Sequence, residues 1–161
     1  MIANTRKIAW LVLLALLMGT SSFQLVACQP TLDIAVKLPS IVSPDSLVAV
    51  EVYVKNLDNK DAYDPVVTIS SSNPSYVRVI GPTIANLSGT VIKADGKWHL
   101  LTGFLVQVSG EAPADTYSLL ISVSYKYLDT TWKTSSVTKT FYFIVSEPPK
   151  LKVSGFSVSP T

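Results

Sequence analysis

The sequence predicts an all-β protein: an antiparallel β-sandwich over residues 31–146, preceded by an amino-terminal signal-peptide helix. Three observations carry this. Apolar residues recur at every second position in run after run, the spacing of half-buried strands. After the leader, no stretch of ten or more residues shows helical spacing. Turn-forming pairs and single residues separate the runs: Asp58-Asn59, Asn73-Pro74, Gly81-Pro82, Asp95-Gly96, Gly110 and Pro113. About seven to eight short strands at such spacing are the signature of a two-sheet sandwich. The 161 residues suffice for one domain of ordinary size.

The leader comes first. Arg6 and Lys7 precede the uninterrupted apolar run Ile8 to Met18, and Gly19-Thr20-Ser21-Ser22 breaks it. A short basic region, an apolar core and a polar break read as a secretory signal. As a helix the core would cover roughly 16 Å, about half of the ~30 Å hydrocarbon layer. An uncleaved anchor over residues 8–27 is the competing reading, and the polar break and Gln24 count against it. Arg6 and Lys7 are two of the 13 Lys and Arg residues, against 11 Asp and Glu. Removing residues 1–28 therefore leaves charges in balance. No Lys/Arg cluster remains outside the leader, which excludes a nucleic-acid footprint.

The strands follow in order. Leu32 to Leu38 alternates. Leu47 to Lys55 places Val48, Val50, Val52 and Val54 on one face. Val66 to Ser70 and Tyr76 to Ile80 are shorter runs, and Leu87 to Lys93 is a weaker one. In the run from Lys97 to Gly110, Trp98, Leu100, Phe104, Val106 and Val108 share one parity, which predicts a core position for Trp98. His99 falls on the opposite, solvent-facing parity. Tyr117, Leu119, Ile121, Val123, Tyr125 and Tyr127 form the cleanest stripe, and Phe141, Phe143 and Val145 the last. The one cysteine, Cys28, cannot form an intrachain disulfide, so the domain relies on its apolar core.

Two segments resemble a known family. Residues 52–70 hold Val54-Lys55-Asn56, a polar loop, Ala62 and then Val66-Val67, with Pro44 ahead of the strand. Residues Ala112-Pro113-Ala114-Asp115-Thr116-Tyr117 resemble a Pro-Ala-Gly-x-Tyr segment, with Asp115 where glycine is usual. Both patterns resemble archaeal S-layer-related immunoglobulin-like repeats, which are similar to cell-adhesion-related (CARDB-like) domains. The resemblance implies an immunoglobulin-like sandwich over 31–146. It also implies a structural spacer or adhesion role, and puts Tyr117 at a tyrosine-corner-like position.

The carboxy-terminal segment repeats the start. Residues 151–161 resemble 32–44: both open Leu-charged-aliphatic and close with Val-Ser-Pro. Glu147-Pro148-Pro149-Lys150 reads as a Pro-rich linker, 147–150. Residues 151–161 are then the start of a second, truncated repeat, a free tail, or a strand donated to a neighbour's sheet edge.

Candidate chemistry is sparse. His99 is the only histidine and Cys28 the only cysteine, too few for a zinc site. Asp58, Asp61 and Asp64 lie in one polar loop and offer hard oxygen ligands for Ca²⁺, the one candidate cofactor. The same composition suits a strand-connecting turn. Tyr127 and Trp132 flank Leu128 to Thr131. A hairpin centred there sets them opposite each other as a cross-strand aromatic pair able to stack on a sugar or a peptide. Asn86-Leu87-Ser88 is a glycosylation sequon, whereas Asn73-Pro74-Ser75 is spoiled by its proline. Leu25-Val26-Ala27-Cys28 resembles a lipobox, which implies a diacylglycerol on the Cys28 sulfur. Cleavage by an ordinary signal peptidase and a retained leader are the other two readings.

The expectation is a non-enzymatic, exported cell-surface module. Its partners would be neighbouring immunoglobulin-like repeats, envelope proteins or polysaccharide, with the membrane met only through leader or lipid. The alternative is a sugar- or peptide-binding accessory domain. A small hydrolase is the third reading, disfavoured by the single histidine and by the lack of a Gly-rich catalytic elbow.

Overall fold

The computed structural model describes residues 29–147. The signal peptide and its lipobox-like end (1–28, Cys28 included), most of the linker and the 151–161 segment lie outside the described residues.

The alternating runs form ten strands: β1 (Leu32–Lys37), β2 (Ile41–Val42), β3 (Leu47–Asn56), β4 (Ala62–Ser71), β5 (Val77–Ile80), β6 (Ile84–Asn86), β7 (Val91–Ile92), β8 (Trp98–Val108), β9 (Thr116–Leu128) and β10 (Trp132–Val145). One sheet has the order β1-β3-β8-β5. The other has the order β2-β10-β9-β4-β6, with β7 also pairing with β4. Pairing is antiparallel except for β2, which runs parallel to the end of β10. The fold is the expected two-sheet sandwich. The run from Leu87 to Lys93 is a strand only at β7, and its first half is a turn. β6 and β7 flank a turn in which Gly89 takes φ +81° and the Thr90 amide donates to the Leu87 carbonyl.

The core follows the stripes. On β3, Val48, Val50, Val52 and Val54 are buried, and on β9 so is every second residue from Tyr117 to Tyr127. Facing sheets with period-2 burial interdigitate to close the sandwich. Each fully buried Val, Leu or Ile contributes about 1.5–3 kcal/mol of transfer free energy.

β8 departs from simple alternation. Val52 pairs with Thr102 but Tyr53 pairs with Leu100, so Leu101 is an extra residue on β8. This β-bulge reverses parity along the strand. Phe104, Val106 and Val108 point inward, while Trp98 and Leu100 point outward, 46% and 57% exposed. Trp98 is therefore not a core residue, and His99 lies on the inward, half-buried parity instead of facing solvent.

The two ends of the described chain lie at opposite poles. Leu32 pairs with Asn56 beside the β9–β10 hairpin, while Val145 pairs with Val42 next to the β2–β3 turn. Near the first pole, the Gln29 side chain bonds Ser135 Oγ and the Tyr125 hydroxyl donates to the Pro30 carbonyl. From Ser135 to Val145 the β10 strand rises roughly 33 Å. We call these the amino-terminal and carboxy-terminal poles. At the latter, Tyr117 Oη donates to the Pro113 carbonyl at 3.2 Å, four residues upstream. This is the tyrosine-corner geometry, and the Tyr117 ring stacks on Phe143 at 6.1 Å.

Candidate functional site

The amino-terminal pole gathers most of the polar residues singled out in the sequence. It is built from the β3–β4 loop (57–61), the β7–β8 loop (93–97) and the β9–β10 hairpin (129–131). Asn56 organises it. Asn56 is the one buried polar residue among those described. Its Nδ2 donates to the Lys60 and Ile92 carbonyls at 2.7 and 3.4 Å, and its Oδ1 accepts from the Asp58 amide at 3.1 Å. The Val-x-Asn ending of β3 thus closes the loop through side-chain-to-backbone bonds that stand in for a sheet ladder.

The three aspartates do not converge on a cation. Asp61 accepts from Lys93 Nζ at 2.9 Å and from the Ala94 amide at 2.8 Å. Asp64 accepts from the Gly89 amide at 2.8 Å and from Lys126 Nζ at 3.2 Å. Asp58 accepts from the Asn59 amide. Among the described residues no three acidic, histidine or cysteine side chains group as a metal site. The expectation of a Ca²⁺ loop is corrected accordingly. Asp61 and Asp64 diverge onto different loops because each pins a neighbouring turn to β4. Their acidities record this. Lys93, then the Ala94 amide, holds Asp61 below the usual carboxylate range, and the Gly89 amide, then Lys126, does the same for Asp64. Asp64 also takes φ +48° at an irregularity between Tyr63 and Val66, a conformation aspartate tolerates better than most residues.

The aromatic pair is also corrected. Trp132 lies opposite Leu128, and Tyr127 opposite Lys133. The hairpin is one residue tighter than a Tyr127–Trp132 pairing requires, and a one-residue shift sends side chains to opposite faces. Tyr127 is buried beside Tyr125. Trp132 is exposed and meets Tyr63 edge-on at 5.3 Å. At the hairpin tip Asp129 binds Lys133 at 2.8 Å and Lys60 at 3.7 Å, tying two loops together.

His99 Nε2 lies 2.9 Å from Asp95 Oδ1, its one hydrogen-bond partner among the described residues. Among the described residues no hydroxyl bonds the His99 ring to complete a triad. Asn86 is exposed at the end of β6, at the start of the Leu87–Thr90 turn. At the carboxy-terminal pole, Asp45, Tyr76, Arg78 and Gln107 line an open polar groove of about 360 Å³. There Arg78 donates to Gln107 Oε1 at 3.3 Å. Sequence reasoning passed over Asn56 as a load on the loop and Arg78 as a groove residue. The Val-x-Asn motif was the available signal for the first, and nothing local marked the second.

No family model matches the sequence, and neither does any curated protein. Solved structures do. A segment of native α-2-macroglobulin from Escherichia coli, from domain MG7 to the carboxy terminus, superposes with a TM-score of 0.54 at 12% identity over 74% of this chain. This chain spans 17% of that segment. A cohesin module of a Clostridium perfringens family 33 glycoside hydrolase gives 0.50 at 14% identity, covering 74% of this chain and 100% of that module. The CARDB domain of a Pyrococcus furiosus protein, solved in complex with di-metal ions, gives 0.46 at 18% identity over 73% and 94% of the two chains. The fold is thus an immunoglobulin-like β-sandwich of the class that includes the cohesin module.

Proposed function

We propose that this chain is an exported structural or adhesion module of the cell envelope, held to the membrane at its amino-terminal end. The observation that carries the reading is the placement of the two ends of the described residues at opposite poles of the sandwich. A module strung on such an axis transmits force and distance along the chain and can be repeated head to tail. The leader of residues 1–28 supports export, and the likeness of 151–161 to 32–44 supports a following module. The Pro-rich linker between them acts as a semi-rigid spacer. Cys28 is the proposed lipid attachment point, and exposed Asn86 the proposed glycan acceptor. The module works by shape and surface, and it binds no nucleic acid.

Protease shaving of intact cells expressing the full chain with a carboxy-terminal epitope tests this. The epitope is expected to be lost from whole cells and to fractionate with the envelope. An epitope found in the cytosol and protected from protease contradicts the proposal.

A further inference from the structure

The amino-terminal pole carries a set of side chains that the fold does not use. Of the three tryptophans in the sequence, Trp10 lies in the leader and the other two, Trp98 and Trp132, lie at this pole. They sit on different sheets, 46% and 59% exposed; Leu128, opposite Trp132, and Leu57, in the β3–β4 loop, are also exposed at 51% and 56%. Single exposed apolar residues are ordinary, but two tryptophans and two leucines around one end of a domain are a surface with a use.

The charges are sorted as well. Lys37, Lys60, Lys93, Lys126, Lys133 and Lys139 each pair with an aspartate or glutamate. Lys55 and Lys97, the remaining described lysines, form no ion pair among the described residues. Both stand beside Trp98: Lys55 is its cross-strand neighbour and Lys97 precedes it. At the opposite pole the carboxylates without an ion pair among the described residues are Asp45, Glu111 and Asp115, and all three are exposed. Arg78, bonded to Gln107, is the cation at that end, so the carboxylates without an ion pair outnumber it. At the amino-terminal pole Asp95 bonds His99 and also acts on Lys97.

Position selects the occupant. Gln29 is fixed near the amino-terminal pole by Ser135, and the next residue back is Cys28, at the end of the apolar leader. Whether a lipid on Cys28 or a retained leader holds the chain, the bilayer meets this pole first. Tryptophan rings favour the headgroup level. Lysines near an anionic surface add attraction that decays within a Debye length. We propose that the amino-terminal pole, through Trp98, Trp132, Leu57, Leu128, Lys55 and Lys97, rests on the surface of an anionic lipid bilayer. The acidic pole then stands away from it, and the module is held upright on its tether. This rests on the membrane-held reading given above, but it is tested in isolation from export.

The test uses the purified full chain with its leader, carrying Trp10→Phe, reconstituted into phosphatidylcholine vesicles with or without roughly one-third phosphatidylglycerol. Brominated acyl chains report the depth of Trp98 and Trp132, and hydrogen exchange reports the loops at 57–61, 93–97 and 129–131. With phosphatidylglycerol present, quenching of both tryptophans and about tenfold slower exchange in those loops are expected. The double variant Lys55→Glu, Lys97→Glu is expected to lose both effects while its leader still holds it on the vesicles. Tryptophans unquenched on anionic vesicles overturn the proposal, as does a double variant that behaves like the parent. Protection that rises with protein concentration and ignores lipid composition would assign the pole to a second copy instead, and also overturns it. A chain that proves cytosolic in cells yet docks here would fail the export reading alone.

Discussion

Asn56 shows how one side chain can determine a loop. It is fully buried, and its three hydrogen bonds join β3, the 57–61 loop and β7. Asn56→Ala removes the partner of two carbonyls and an amide, and leaves the Ile92 carbonyl without its bond at a buried site. The expected cost is about 2–3 kcal/mol, on the order of 10 °C in melting temperature for a domain this size. Thermal unfolding followed by circular dichroism measures it, and an unchanged midpoint would show the loop to be held by other bonds. Residues of this kind were half legible in the sequence. The corner position of Tyr117 was readable through the family resemblance, and its hydrogen bond to the Pro113 carbonyl came from the structure. Asp58, Asp61 and Asp64 misled because a run of carboxylates looks the same whether the side chains converge on an ion or diverge onto turns. The choice depends on Lys93, Lys126 and Gly89, which are distant in sequence.

At the scale of elements, β3 and β9 were legible because nothing interrupts their alternation, whereas of β10 only the end that carries Phe141, Phe143 and Val145 was read, its first half being polar. β8 was legible as a strand but not in which way its first half faces. The bulge at Leu101 turns Trp98 and Leu100 out and leaves Leu101 and His99 on the inner side. A bulge has no sequence signature beyond the parity it breaks, and here both parities carry apolar residues. The alanine pair Leu101→Ala and Leu100→Ala separates the two readings. The first is expected to cost about 1–2 kcal/mol and the second under about 0.5 kcal/mol. Chemical denaturation of both variants decides, and the reverse order would remove the bulge. Edge strands show a related device. Lys139 on β10 reaches over to Asp33 Oδ1 and the Ile34 carbonyl on β1, both at 3.0 Å, stapling the margins of the two sheets. An edge lysine also discourages pairing with other chains.

For the whole molecule, surface electrostatics set the response to acid. Lys93 holds Asp61, the Gly89 amide holds Asp64, His99 holds Asp95 and Lys133 holds Asp129 below the ordinary carboxylate range. These groups bind protons less readily folded than unfolded. Their contribution is therefore present above the unfolded carboxylate value and is lost as pH falls through the lowered ones. Melting temperature is expected to be level above roughly pH 5 and to fall below it. Asp64→Asn, which keeps a residue tolerant of positive φ, should flatten that fall. Parallel curves for parent and variant would show that Asp64 does not contribute. The separation of the two ends of the described residues follows from strand order, which periodicity alone does not supply. The fold class was readable in 31–146, whereas the poles emerged only from the pairing.

The central claim is that this sandwich is exported and tethered at its amino-terminal pole. The most direct test is the intact mass of the membrane-associated mature chain. The expected mass corresponds to a chain that begins at Cys28 and carries a diacylglycerol. A chain starting at unmodified Gln29 and recovered free of the membrane would contradict it.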